Sequence, residues 1–83
     1  MAEHTVTVTY FAGLVDRTGC RREELRLTTA TVAGLRAAVA ARHGERAGAL
    51  AQVSTVLDGE EMRREPGDRI GAVVDLLPPF AGG

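Results

Sequence analysis

The feature that most restricts the fold is a single helical pattern, from Thr31 to Gly44, in a chain whose other patterns are mostly strand-like. Apolar residues recur at helical spacing at Val32, Leu35 and Val39, Thr31 is a good N-cap, and Gly44 can end the helix. An isolated helix of this length is only marginally stable in water. We therefore predict that its apolar stripe packs across one face of a sheet.

Five segments have the spacing and composition of β-strands. The first alternates polar and apolar residues with period two, so that Val6, Val8 and Tyr10 would face the core. In chain order, the predicted strands are 5–10, 22–27, 53–57, 60–64 and 70–77. Short helical segments are predicted at 11–18 and, more weakly, at 45–50. The continuous apolar run of the last strand favours a central position with both faces buried. The order of the elements predicts an α+β fold with a mixed sheet and one main helix.

Length and composition exclude several classes of protein. A chain of 83 residues makes one domain, and its net charge of -1 argues against a nucleic-acid or anionic-membrane partner. No apolar run approaches the roughly 20 residues of a membrane span, and the first residues lack the layout of a signal peptide. Cys20 is the only cysteine, so no internal disulfide forms, and we expect a cytoplasmic protein.

The usual catalytic patterns are missing from the sequence. His4 is predicted to lie in a floppy terminus and His43 on the surface at the end of the helix, so neither is expected to bind a metal. Cys20 has no general base or pocket beside it in the sequence, and Glu23 is expected to be solvated at a strand edge. We therefore expect a carrier or co-substrate with no catalytic residue of its own, and not an enzyme.

The chemistry is expected at the C-terminus. Pro78 and Pro79 lack N–H donors and cannot extend a sheet, so we predict a folded domain at 1–77 and an extended tail at 78–83. Six residues can reach about 20 Å, and the glycines Gly82 and Gly83 have no Cβ that would clash in a narrow partner channel. A free carboxylate is a poor electrophile. Joined to AMP it becomes a mixed anhydride, which a sulfur nucleophile can convert to a thiocarboxylate.

Several short motifs together resemble the small sulfur-carrier proteins, typified by the molybdopterin synthase small subunit and the thiamine sulfur carrier. They are Tyr10-Phe11-Ala12, Thr31-Val32, Leu57-Asp58-Gly59-Glu60, Gly67-Asp68 and, most specifically, the tail Leu77-Pro78-Pro79-Phe80-Ala81-Gly82-Gly83. The resemblance covers the whole chain and implies the ubiquitin-like β-grasp fold.

The resemblance also implies a site and partners. Gly83 would be adenylated by a ubiquitin-activating-type adenylyltransferase, which uses ATP, and then thiocarboxylated; no permanently bound cofactor is implied. A tail of Pro78, Pro79, Phe80, Ala81 and Gly82 would insert into a sulfur-accepting enzyme such as the molybdopterin synthase large subunit. Phe11, Met62 and Leu77 match positions that form an apolar patch against partners.

Two departures from the family pattern and two alternatives remain open at this stage. The segment between Asp68 and Pro78 is longer than usual, which indicates either a bulge in the last strand or a loop, and Asp58 stands where asparagine is usual. The sulfur could instead serve thiamine, cysteine or a secondary metabolite. A ubiquitin-like protein modifier is the other alternative. All ten basic residues are arginines, so such a modifier could not be linked to copies of itself through lysine.

Overall fold

The computed structural model describes residues 3–79 and contains five strands and three helices. The strands are β1 (His4–Tyr10), β2 (Arg22–Leu27), β3 (Thr55–Asp58), β4 (Glu61–Arg63) and β5 (Val73–Leu77). The helices are α1 (Gly13–Thr18), α2 (Val32–His43) and α3 (Glu45–Gln52). The predicted bounds of β2 and of the main helix are confirmed.

The strands form one mixed sheet in the order β2-β1-β5-β3-β4. β1 and β5 run parallel at its centre, with Thr7 opposite Val73 and Tyr10 opposite Leu76, while the other neighbouring pairs are antiparallel. The predicted central position of the last strand is confirmed. Because β1 and β5 are parallel, the last residues of both strands lie at the same end of the sheet.

The core lies between one face of the sheet and the helices. Alternate residues of β1 point into it, and Val6, Val8 and Tyr10 are buried as the period-two pattern predicts. α2 contributes Val32, Leu35 and Val39, each of which is fully buried. The side chain of Thr31 caps α2 by accepting a hydrogen bond of 3.1 Å from the backbone N–H of Gly34, as the sequence predicts.

The prediction that the last strand is buried on both faces is wrong. Val74 and Leu76 are buried, but Val73 is 59% exposed, because the helices cover only one face of the sheet. The strand also begins at Val73 and not at residue 70. Ile70 is buried as part of a loop, where its backbone N–H donates to the carbonyl of Ala30. The prediction failed because an apolar segment of a loop that packs on the core has the same composition as a buried strand.

The long spacing between Asp68 and Pro78 is therefore occupied by a loop and not by a bulge. The carbonyl of Asp68 accepts from the N–H of Val32, and Arg69 forms an isolated bridge with Thr31, so the loop holds the start of α2. Further along, the N–H of Gly71 donates to the Asp58 carboxylate at 3.0 Å. The aspartate that departs from the family pattern thus has a structural role in this chain.

Three other element boundaries differ from the predicted ones. α3 is longer than the predicted 45–50 segment and Val53 ends it, so β3 starts at Thr55 and not at residue 53. β4 is reduced to Glu61–Arg63, beside the turn at Gly59. His4 does not lie in a floppy terminus, since it begins β1 opposite Leu27. Among residues 3–79, no helix is long and apolar enough to cross a membrane.

Candidate functional site

The root of the tail lies at the end of the central strand. β5 ends at Leu77, Pro78 is buried, and Pro79 is exposed. Since proline has no backbone N–H, two successive prolines end the pairing of β5 with both of its neighbours. The remaining predicted tail residues, Phe80, Ala81, Gly82 and Gly83, lie outside the described residues.

The sheet face opposite the helices carries the predicted partner-facing residues of β4 and β5. Leu77 is partly exposed, and it shares this face with Met62 because the register places Met62 opposite Leu57 and Leu77 opposite Thr55. Met62 is 60% exposed. Phe11 follows the last residue of β1 and is 39% exposed. Their contact with a partner remains a prediction.

An open groove of about 500 Å³ borders the tail root. Met62, Leu77, Pro78 and Pro79 form part of its lining, together with the arginines Arg36 and Arg64. Arg36 is held by the fold, because its guanidinium donates to the carbonyls of Ala51 and Ser54 at 3.1 and 2.9 Å. Arg64 is exposed. The groove therefore offers apolar surface and the exposed, positively charged side chain of Arg64 beside the root of the tail.

The backbone next to Phe11 has an unusual conformation. Ala12 has φ 51° and ψ -130°, and it is the only non-glycine residue with positive φ among the residues the structure describes. The N–H of Leu14 donates to the carbonyl of Phe11 at 3.1 Å, so Ala12 occupies the first central position of a tight turn that favours glycine. This turn ends β1 and starts α1.

A second group of polar side chains lies where α2, β1 and β2 meet. Glu23 accepts hydrogen bonds at one oxygen, Oε2, from the Tyr10 hydroxyl and from Nε2–H of His43, each at 2.5 Å. Its other oxygen, Oε1, accepts from Arg42 at 2.8 Å. Ligand atoms of Cys20, Glu23 and His43 all lie within 4.8 Å of one another. This cluster contains residue types that bind transition metals.

Burial and hydrogen bonding shift the titration of this cluster. Burial raises the pKa of Tyr10, and the hydrogen bond to Glu23 raises it further. Burial alone would also raise the pKa of Glu23, but the hydrogen bonds from Tyr10, His43 and Arg42 outweigh it and hold this pKa below its ordinary value. Glu23 is therefore a carboxylate at neutral pH, and Tyr10 remains a hydrogen-bond donor to it.

Comparison with known protein families shows which family the chain belongs to. The sequence pattern of the ThiS family matches residues 8–83. The chain belongs to the ThiS family. The predicted family membership is confirmed, and the function is supported at the level of a ubiquitin-like sulfur carrier or modifier. The match does not distinguish the pathway that such a carrier serves.

The structure of this ThiS-family chain is similar to the crystal structure of SAMP1 from Haloferax volcanii. The two share 23% sequence identity, the alignment covers 95% of this chain and 99% of that one, and the TM-score is 0.70. This likeness confirms the predicted α+β, ubiquitin-like β-grasp fold. No curated protein matches the chain.

The cluster around Glu23 is the part of this ThiS-family protein that sequence reasoning missed. Glu23 is not solvated and His43 is not on the surface, since their side chains are only 12% and 13% exposed. Cys20, Glu23 and His43 come from a loop, a strand and the end of a helix, so no local spacing links all three. The one available signal was the alternation of β2, which puts Glu23 on the same face as the buried residues Leu25 and Leu27.

Proposed function

We propose that this protein carries sulfur as a thiocarboxylate at Gly83. The observation that carries the proposal is the ThiS-family match, which extends to the last residue of a tail that ends Gly82-Gly83. In this proposal the protein is a co-substrate that presents its terminus. Catalysis belongs to its partners, and no permanently bound cofactor takes part in the sulfur chemistry.

The proposed chemistry has two steps. In the first, a ubiquitin-activating-type adenylyltransferase joins the Gly83 carboxylate to AMP from ATP and releases pyrophosphate. In the second, hydrosulfide attacks the acyl carbon, the bond to the phosphate oxygen breaks, AMP leaves, and loss of the remaining S–H proton gives the thiocarboxylate. The thiocarboxylate is then the nucleophile that delivers sulfur to an acceptor in the cytoplasm.

The position of the tail root supports this role. The tail follows a strand that is hydrogen-bonded on both sides, so its starting point is fixed relative to the rest of the sheet. Met62 is exposed on the same sheet face as Leu77, and Phe11 is exposed at the end of the sheet where the tail begins. A partner that binds this surface would therefore receive the tail in a defined position, which matters because small displacements of a reacting group are costly.

We further propose that the acceptor is the large subunit of molybdopterin synthase and that this protein is its small subunit. The support is the tail sequence Leu77-Pro78-Pro79-Phe80-Ala81-Gly82-Gly83, which resembles the molybdopterin branch of the family. The competing acceptors are enzymes of thiamine, cysteine or secondary-metabolite synthesis. Incubation of the thiocarboxylated protein with each enzyme and its sulfur-accepting substrate separates them, since only the true acceptor returns the carboxylate form.

The first test is mass spectrometry of the protein after incubation with an activating enzyme, ATP and a sulfur donor. We expect the mass change of one oxygen replaced by sulfur at Gly83. Gly82→Val should abolish this change, because a β-branched residue needs space beside the backbone and restricts its conformation. Deletion of Gly83 should also abolish it, since the carboxylate moves back by up to about 3.5 Å.

The matched control is Gly67→Val, the same substitution in an exposed turn where a Cβ would have no neighbour within 4 Å. This variant should be thiocarboxylated like the wild type, and all variants should retain the wild-type melting transition. Normal thiocarboxylate formation on Gly82→Val or on the deletion variant would contradict the proposal. Formation of high-mass conjugates without a thiocarboxylate would support a ubiquitin-like protein modifier instead.

A further inference from the structure

We propose that Cys20, Glu23 and His43 form a binding site for a zinc-class divalent cation. This site is separate from the tail and does not depend on the proposed sulfur chemistry. Its three ligand atoms are a sulfur, a carboxylate oxygen and an imidazole nitrogen, all within 4.8 Å of one another. Thiolate and imidazole ligands favour zinc and its neighbours in the transition series over magnesium or calcium.

The geometry needs only a small contraction around a metal ion. With Zn–S of about 2.3 Å and Zn–N and Zn–O of about 2.0–2.2 Å, tetrahedral ligand atoms lie roughly 3.3–3.6 Å apart. Nε2 of His43 and Oε2 of Glu23 now lie 2.5 Å apart and share a hydrogen bond, so the metal would replace the proton between them and separate them slightly. The Cys20 sulfur would move towards them.

The three ligands lie on three different segments of the chain. Cys20 is the one whose side chain must move towards the other two when a metal binds. His43 is the last residue of α2, and Glu23 lies near the start of β2. Cys20 precedes β2 in the loop after α1, and its Sγ lies 3.8 Å from Thr18 Oγ1, a weak contact that a metal–sulfur bond would easily replace. The backbone of Cys20 is also hydrogen-bonded to Thr18 Oγ1, through the Cys20 N–H and carbonyl, so we expect the Cys20 side chain to rotate towards the metal while the loop, the sheet and α2 stay in place.

The surrounding groups fit a bound cation. Tyr10 is buried and donates to Oε2 of Glu23, as groups behind a metal-ligating carboxylate commonly do. Arg42 is the unfavourable neighbour, but it contacts the other oxygen, Oε1, and its side chain is 62% exposed. It can turn towards solvent. A thiolate and a carboxylate together balance the charge of a divalent ion, and water completes four-coordination.

The binding step releases one proton from the Cys20 thiol as the sulfur bonds to the metal. The proton displaced from Nε2 of His43 is taken up by Nδ1 of the same ring through exchange with water, so His43 binds through Nε2 as the neutral ring and only the thiol proton is released. No electron is transferred and no other reactant is needed. The bound metal links α2 to β2 and to the preceding loop, so it should stabilise the folded protein by an amount that grows with the logarithm of the metal concentration above the Kd.

The test is a Co²⁺ titration of the purified, chelator-treated protein without a histidine tag. We expect one equivalent of Co²⁺ to give a thiolate-to-cobalt charge-transfer band and the visible bands of a tetrahedral site, and Zn²⁺ to displace it. Zn²⁺ should also raise the melting temperature. Cys20→Ser should remove the charge-transfer band, and both Cys20→Ser and His43→Gln should weaken Zn²⁺ binding at least about 100-fold.

Two further variants separate this site from adventitious binding. His4→Gln removes the other histidine, which lies at the start of β1, and should leave Zn²⁺ affinity unchanged. Tyr10→Phe keeps the buried ring, removes only the hydroxyl behind Glu23, and should weaken Zn²⁺ binding about 10-fold or more. Circular dichroism in chelator checks that each variant is folded. Absence of the charge-transfer band in the wild type, or wild-type Zn²⁺ affinity in Cys20→Ser, would overturn the proposal.

Discussion

At the scale of single residues, Ala12 shows how the chain directs Phe11 outwards. A non-glycine residue at φ 51° and ψ -130° is strained, at a cost of order 1–3 kcal/mol. The turn that needs this conformation separates Phe11 from Leu14, and these two apolar residues are 39% and 0% exposed. The strained turn at Ala12 thus lets the chain expose Phe11 and bury Leu14, three residues later.

Replacing Ala12 by glycine should stabilise the protein. Glycine removes the strain and costs only about 0.5–1 kcal/mol of additional backbone entropy, so the net gain should be about 1 kcal/mol. This corresponds to a melting temperature roughly 4–8 °C higher, measurable by calorimetry. Ala72→Gly is the control, since Ala72 is exposed and has no positive φ, and it should lower stability slightly. A loss of stability in Ala12→Gly would mean that the turn is not strained.

Glu23 is predicted to make stability depend on acid pH. Its pKa is lower in the folded protein than the ordinary value of 4.5, so its contribution is fully present above about pH 4.5 and is lost as pH falls through the folded-state pKa. Glu23→Gln should cost about 2 kcal/mol near neutral pH, because charged hydrogen bonds are lost. The difference from wild type should shrink in acid.

Denaturant melts from neutral to acid pH, in the presence of a chelator, measure this effect. Glu24→Gln is the matched control, because Glu24 is the exposed neighbour on the opposite face of β2. Its stability should follow that of the wild type at each pH. A constant difference between Glu23→Gln and wild type across the acid range would show that the network does not depend on the charge of Glu23.

At the scale of elements, α2 shows why a glycine is kept inside a helix. Gly34 lowers helix propensity by about 1 kcal/mol relative to alanine. A Cβ at this position would overlap the carbonyl oxygen of Thr29, in the turn that precedes the helix. With glycine at position 34, the preceding turn and the Thr31 cap can approach α2 more closely than they could if residue 34 carried a side chain.

Gly34→Ala should destabilise the protein although alanine is the better helix former. The overlap is with backbone, so the turn must move, at a cost typical of overpacking, and we expect a net loss of about 1–3 kcal/mol in denaturant melts. Gly67→Ala is the control, because a Cβ there would have no neighbour within 4 Å, and it should be nearly neutral. Equal or greater stability of Gly34→Ala would mean that the turn adjusts freely.

Elements with a clear period could be predicted from the sequence, and those that depend on packing could not. β2 and α2 have a regular alternation or a regular stripe, and their bounds are confirmed. For α3 the sequence predicts only a weak turn or short helix at 45–50, whereas the helix extends from Glu45 to Gln52. In the fold, a Cβ at Gly48 would lie 2.6 Å from that of Ala40, so a close approach of two helices, invisible in the sequence, stabilises α3.

At the scale of the whole molecule, the predicted partner surface and the metal site differ in how they could be found. Phe11 and the tail are visible in the sequence, because an apolar residue off the strand period and a glycine terminus are local features. The cluster of Cys20, Glu23 and His43 depends on the packing of α2 on β2, which only the fold supplies. A site whose residues are distant in the chain cannot be predicted from local sequence patterns.

Phe11→Ser should weaken binding to the activating enzyme about 10-fold or more without unfolding the protein, since a large apolar anchor is lost from an exposed surface. Isothermal titration calorimetry and circular dichroism measure the two properties. Val73→Ser is the control, because Val73 is an apolar side chain even more exposed than Phe11 but lies about 13 Å along β5 from the tail root. Unfolding of Phe11→Ser would place Phe11 among the residues that maintain the fold, and unchanged binding would remove it from the partner surface.

The parallel pairing of β1 with β5 also links protein synthesis to the presentation of the tail. Thr7 and Val73 are neighbours in the sheet but 66 positions apart in the chain (73 − 7), so the centre of the sheet cannot form until the last strand has been made. Such long-range pairing slows folding. A chain interrupted before β5 would leave the β1–β2 and β3–β4 hairpins unjoined, with their inner edges open. Folding itself therefore selects chains that have acquired the strand from which the tail extends, and incomplete products would be left to proteases.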